Sequence, residues 1–165
     1  MFELKPLTRE AIPAALAKAE RYRLLNEPAL AESICLDILA IDPGNQAALV
    51  ILILSLSDQF EHGGSAGEAR ALLARLDDEY SRAYYAGIIC ERQARASMHL
   101  DRPGSHFHAY AAFRDAMEWY EKAEGLRPAG NDDALLRWNT CARLLARNPH
   151  LRAEPEVRAE AILSE

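Results

Sequence analysis

Three cysteines are few for 165 residues, and Cys35, Cys90 and Cys141 lie far apart with no CxxC among them. An odd, scattered set gives no disulfide framework. It reads as buried free thiols in a reducing cytoplasm. Positive charge is also short: 19 Lys and Arg against 25 Asp and Glu leave a formal charge of −6. That balance argues against sequence-independent nucleic-acid binding, which needs a basic surface to displace counterions. It equally disfavours docking on anionic membranes. Long hydrophobic runs are missing. The most apolar stretch, Ala47 to Leu56, is about half of the roughly 20 residues that span a bilayer. The opening MFELKPLTRE has no apolar core of signal-peptide length. The expected location is therefore cytoplasmic. Catalytic signatures are missing too: no GxSxG, no phosphate loop and no HExxH. No enzyme activity and no cofactor are expected.

What the chain does have is an ordinary globular composition, half apolar and about a quarter charged. Its length fits one domain spanning 1–165 and can bury a real core. Sixteen of the nineteen basic residues are arginine, and alanine is abundant. This is the bias of a GC-rich, bacterial kind of genome.

One stretch organises the rest. Tyr110 to Pro128 places Phe113, Ala116, Trp119, Tyr120 and Ala123 at helical spacing before Gly125 and Pro128. The small residues at 116 and 123 allow another helix to approach, with Phe113, Trp119 and Tyr120 filling the space around that contact. Glycine and proline end the helix. Pro28 to Asn45 repeats the layout, with Ala31, Ile38 and Pro43 in the matching places.

The spacing predicts seven or eight helices and no sheet. Residues 1–7 form an arm. Thr8 caps a first helix to about Leu25, with Pro13 near its first turn. Pro28 opens the second helix, which stops at Asp42-Pro43-Gly44. Asn45 caps the third, which holds the apolar run; Val50, Ile51 and Ile53 leave a strand as the local alternative, and the repeat context decides for helix. Ser65 with Glu68 makes a capping box for the fourth. The fifth runs from about Arg82 to Met98. Ser105 caps the sixth, and Asn131-Asp132-Asp133 starts the seventh. A charged last helix within 152–165 caps the open end of the stack.

The pattern resembles the tetratricopeptide repeat family, whose unit is two antiparallel helices in about 34 residues. Ala116, Tyr120, Ala123 and Pro128 match the second-helix signature of small residue, aromatic, small residue and proline. Ala31 and Pro43 match an earlier copy, where Cys35 and Ile38 replace the aromatic and the second alanine. Ala69 marks a third copy without the proline. Ala19 with Tyr22, and Ala86 with Gly87, fit the weaker first-helix signature. The family's first-helix tryptophan is missing, and Trp138 sits off register. The unequal spacing of the copies implies extra residues near 62–66 and an inserted loop at 96–109. The resemblance implies an all-α fold, antiparallel helix pairs stacked as a short right-handed superhelix.

Such a stack has a concave face built from the first helix of each pair, and the family holds a partner's peptide or helix there. The outward positions of those helices here include Glu20, Arg23, Val50, Leu54, Tyr84, Ile88, Glu91, Arg95, Leu135, Asn139 and Arg143. They describe a groove with an apolar middle and charged edges, suited to an apolar segment flanked by charge. The partner-binding residues expected are Tyr84, Ile88, Glu91, Arg95, Asn139 and Arg143. The family's lysine and asparagine grip on a C-terminal carboxylate is absent. The length and acidity are also similar to those of small repeat chaperones of bacterial secretion systems, so an adaptor or chaperone-like role is the leading expectation.

Two other readings stay open. His99, Asp101, His106 and His108 fall within ten residues and could ligate zinc or shape a small-ligand site. At a helix start His106 and His108 point to different sides, so only loop geometry could unite them; a polar loop is the plainer reading, and no metal is expected. Val50 and Leu54 could instead form a homodimer seam, or lie under the arm or the inserted loop. Cys90 beside Glu91 and Arg92 could be an activated thiol, but its apolar stripe favours an inert one.

Overall fold

The computed structural model describes residues 2–155. Its helices are α1 (Ile12–Leu24), α2 (Pro28–Ile41), α3 (Gln46–Asp58), α4 (Ala66–Leu73), α5 (Glu79–Met98), α6 (Ser105–Leu126) and α7 (Asp133–Arg147). Short 3-10 turns occupy Arg9–Ala11 and Phe60–His62. The described residues contain no strand, and no helix among them is long and apolar enough to cross a membrane. The capping helix expected within 152–165 falls almost wholly outside the described residues; Arg152 to Pro155, the described part, is not helical.

Local chemistry sets the boundaries. Pro13 and Pro28 sit in the first turns of α1 and α2, where a missing N–H costs nothing. Asn26 takes a left-handed φ of 62° between them, which asparagine tolerates better than most residues. Asn45 Oδ1 accepts from the Ala48 amide at 3.0 Å and caps α3. Ser65 Oγ accepts from the Glu68 amide at 3.4 Å at the start of α4. The apolar run 47–56 lies inside α3, so helix wins over strand there.

Four boundaries differ from expectation. α1 begins only at Ile12, after the 3-10 turn, and Thr8 makes no side-chain cap hydrogen bond. α5 begins at Glu79 rather than Arg82, because the Asp78 carboxylate caps it by accepting from the Tyr80 and Ser81 amides. Ser105 does not cap α6. Gly104, at φ 80°, holds that place, and the Ser105 hydroxyl donates to the Leu100 carbonyl at 2.8 Å. Gly125 stays inside α6, which ends only at Leu126, before Pro128. The inserted loop expected at 96–109 is mostly helix. Residues 96–98 extend α5 and 105–109 extend α6, leaving only 99–104 as connection. The extra residues therefore lengthen one helical hairpin of 20 and 22 residues.

Helices adjacent in sequence pack on one another from α1 to α7, most heavily α5 on α6. α1 also touches α3, and α3 touches α5. α1, α3 and α5 thus lie side by side, and α7 meets α5 through the Arg137 and Glu91 side chains. Two apolar clusters fill the interior. One joins α1 to α4 around Cys35, Ile38, Leu49 and Ile53. The other joins α5 to α7 around Phe113, Ala116, Tyr120 and Cys141. Tyr85 packs against both.

The α5–α6 contact is close because Gly87 faces Tyr120. A Cβ at 87 would stand 2.6 Å from the tyrosine ring. Phe113 and Tyr120 are fully buried, as are Ala116 and Ala123. Trp119 is not part of that contact: it is 38% exposed, with the Lys122 ammonium 5.3 Å from its ring centroid. Successive residues of a helix are turned by about 100°, so only one of these two adjacent aromatics is buried.

Candidate functional site

The polar groups of the molecule converge on the side formed by the odd-numbered helices. Asp58, at the end of α3, accepts from Arg23 Nε of α1 at 2.7 Å and is paired with Arg92 of α5. Glu91, also on α5, accepts from Arg95 Nη2 at 3.0 Å and from Arg137 Nη1 of α7 at 3.4 Å. Each carboxylate therefore ties together two arginines. Four helices are joined in this way, through side chains rather than backbone.

Glu91 is 2% exposed, and a buried charge is tolerated only when paired and hydrogen-bonded. A third donor completes its shell: the Tyr120 hydroxyl of α6 donates to Glu91 Oε2 at 2.7 Å. Burial first, and the adjacent carboxylate second, push the Tyr120 pKa far above its ordinary value, so the hydroxyl stays protonated and stays a donor.

The guanidiniums are crowded. Burial lowers the Arg92 pKa to about 10, helped by repulsion from Arg23 and Arg137. Burial, then Arg137, also lowers that of Arg23. Burial pulls Arg137 down as well, but Glu91 and Tyr120 outweigh it and the net shift is upward. Between these groups lies a cleft of about 220 Å³, lined by Ser57, Asp58, Glu61, Glu91, Arg92, Arg95 and Arg137, three carboxylates against three guanidiniums. A second cleft of about 230 Å³ adjoins it, lined by Tyr84, Asp133, Leu136, Arg137 and Thr140. Arg137 belongs to both.

Aromatic rings flank the second cleft. Tyr80 and Tyr84 stack with centroids 5.7 Å apart, and Tyr84 meets Tyr85 edge-on at 5.2 Å. Leu136 stands 60% exposed beside them. Tyrosine and arginine around an exposed apolar side chain are the residue types that carry most binding energy at protein interfaces.

The expected partner-binding residues divide. Tyr84 and Arg95 line these clefts. Glu91 is in place but serves as the buried anchor of the arginines, with little surface of its own to offer. Ile88 is 1% exposed and belongs to the core around α6 rather than to either cleft. Asn139 is half-buried and Arg143 exposed, and neither lines the two clefts. The expected apolar middle is also different. Val50 and Leu54 are half-buried against the two cores, and charged and aromatic groups occupy the centre. Arg23, Asp58, Arg92, Leu136 and Arg137 complete the site. Arg23 was visible as an outward position of α1. The others fall in helix-end or amphipathic positions with no motif to mark them.

The histidines are spread out. His99 ends α5, 3.8 Å from Glu61, while His106 stacks obliquely on Phe107 in the first turn of α6. Among the described residues no group of three or more His, Cys, Asp or Glu side chains is placed to hold a metal. Cys90 is buried beside Arg70. Burial raises its pKa against the opposing pull of that arginine, which is the opposite of an activated thiol. Comparison with known proteins returned no matching family model, curated protein or solved structure.

Proposed function

We propose that this chain is a non-catalytic protein-interaction module, adaptor or chaperone-like, with a tetratricopeptide-like stacking of its helix pairs. A peptide or helix of a partner protein lies along the side formed by α1, α3, α5 and α7. One observation carries the reading: Tyr84, Leu136, Arg95 and Arg137, contributed by α5 and α7, line two adjoining open clefts. A surface of tyrosine, arginine and exposed leucine set on rigid helices is suited to gripping a segment rather than transforming it. The buried Glu91 holds Arg95 and Arg137 in place before any partner arrives, which lowers the ordering cost of binding.

Affinity capture from the native host, with mass spectrometry, tests this. The wild type is compared with Tyr84→Ala and Leu136→Glu, each shown to be folded by circular dichroism. A protein enriched by wild type and lost by both variants supports the reading. Equal recovery by all three places the binding surface elsewhere.

A further inference from the structure

A cleft of about 280 Å³ lies between α1 and α2, apart from the candidate site. Ala14 and Ala15 of α1 and Ile34 of α2 make it apolar, and Lys18 and Asp37 add one charge of each sign. No residue beyond α2 lines it. The arm starts from this cleft. Leu7 lines it, and Arg9 donates to the Ile41 carbonyl of α2 at 3.2 Å, which ties the base of the arm to the same helix pair. From Leu7 back to Phe2 the arm lies outside. Phe2 is 101% exposed and Leu4 90%, the two most exposed large apolar side chains among the described residues. Pro6 fixes its own φ and biases Lys5 to an extended backbone, so the arm does not turn back sharply into its own cleft. One helix pair thus shows both an open apolar cleft and an apolar segment with nothing to cover it.

We propose that the occupant of this cleft is the arm of a second copy of the chain, exchanged reciprocally. Phe2 and Leu4 of each copy enter the cleft of the other, and the same contact forms twice across a two-fold axis. Alternate side chains of an extended segment point to opposite sides. Phe2 and Leu4 therefore face the cleft together. Glu3 and Lys5 are left at its rim, where Lys18 and Asp37 supply the opposite charges. Arm and cleft each carry one acid and one base, so the contact is neutral although each chain carries −6. Residues 2–6 reach at most about 18 Å when fully extended. The exchange therefore brings the α1–α2 pairs of the two copies face to face. None of these residues belongs to the candidate site, so the pairing stands or falls independently of the binding role proposed above.

Sedimentation equilibrium of the full chain over a range of concentrations tests this, beside Phe2→Glu/Leu4→Glu and Ala14→Glu. All three positions are exposed, so the variants keep the core, which circular dichroism verifies. The wild type is expected to be a dimer, and each variant to raise its dissociation constant at least about tenfold. A third variant, Glu3→Cys/Lys18→Cys, keeps the apolar anchors and places two thiols at the rim. Oxidised where the wild type is dimeric, it is expected to give a covalent dimer on a non-reducing gel. A wild type that stays monomeric at millimolar concentration overturns the proposal. So does a dimer weakened by only one of the two glutamate variants or by neither, because arm and cleft must both matter. An internally crosslinked monomer from Glu3→Cys/Lys18→Cys overturns it in favour of an arm that closes on its own cleft. No crosslink at all removes the arm from the cleft altogether.

Discussion

Tyr120 donates its hydroxyl hydrogen to Glu91 Oε2 at 2.7 Å while its ring lies against Gly87. One tyrosine thereby joins the tight α5–α6 contact to the buried acid that holds the arginines of the candidate site.

Tyr120→Phe keeps the ring and deletes the donor. Glu91 is then left in the interior with the arginines alone. The expected loss is about 1–3 kcal/mol, the range for stranding a buried polar group. Urea denaturation checks it, as a lowered midpoint with an unchanged slope.

Gly87→Ala separates two opposing effects. Helix propensity alone would favour alanine by about 1 kcal/mol. The new methyl, however, would stand 2.6 Å from the Tyr120 ring. Overpacking of this kind costs about 1–3 kcal/mol, so the variant is expected to be less stable than wild type. In a Tyr120→Ala background the clash is gone and the sign reverses. The double-mutant cycle is read by thermal or urea unfolding.

The cysteines should be silent in the native state. Burial pushes Cys35 and Cys141 up to about 12 and raises Cys90 as well. At pH 8 all three remain thiols, and Cys35 and Cys141 have no exposed surface. A colorimetric disulfide reagent is expected to label none of them within minutes, and all three in strong guanidinium. Rapid native labelling of Cys90 would show that Arg70 wins over burial after all.

The cap of α5 gives a pH dependence. Asp78 accepts from the Ser81 hydroxyl and from the Tyr80 and Ser81 amides, and its pKa is lowered, the Ser81 hydroxyl contributing most. A carboxylate with a depressed folded-state pKa stabilises the fold above its unfolded value, near 3.9, and loses that contribution as pH falls through the folded one. Asp78→Ala is expected to cost about 0.5–2 kcal/mol at pH 7. The gap to wild type should close in unfolding curves taken below about pH 4.

The helix pattern was legible because it rests on local signals. Pro28, Asn45, Ser65 and the apolar periodicity of α2 and α3 place those elements with little help from tertiary structure. The 96–109 segment misled because unequal spacing of the repeat copies shows that residues are added and not what shape they take; α5 and α6 pack against each other and take most of them into helix. The site was legible only in outline. Tyr84, Glu91 and Arg95 fall on the expected side of α5, but periodicity reports a face and not its depth. Ile88 and Glu91 share that face with Tyr84 and Arg95, yet α6 buries both. Nothing in the sequence pairs Asp58 with Arg23, 35 positions away, or sets Arg137 beside Glu91, 46 positions away. Such pairings exist only once the helices that carry them are packed together.

The most direct measurement is site-specific photo-crosslinking in cells of the native host. A photoreactive amino acid replaces Thr140, an exposed residue of the Tyr84–Leu136 cleft, or Glu118, an exposed residue of α6 that lines a different cleft with Trp119. The account predicts a discrete protein adduct from position 140, none from 118, and loss of the 140 adduct when Leu136→Glu is added. An adduct from 118 alone, or one from 140 that survives Leu136→Glu, would contradict it.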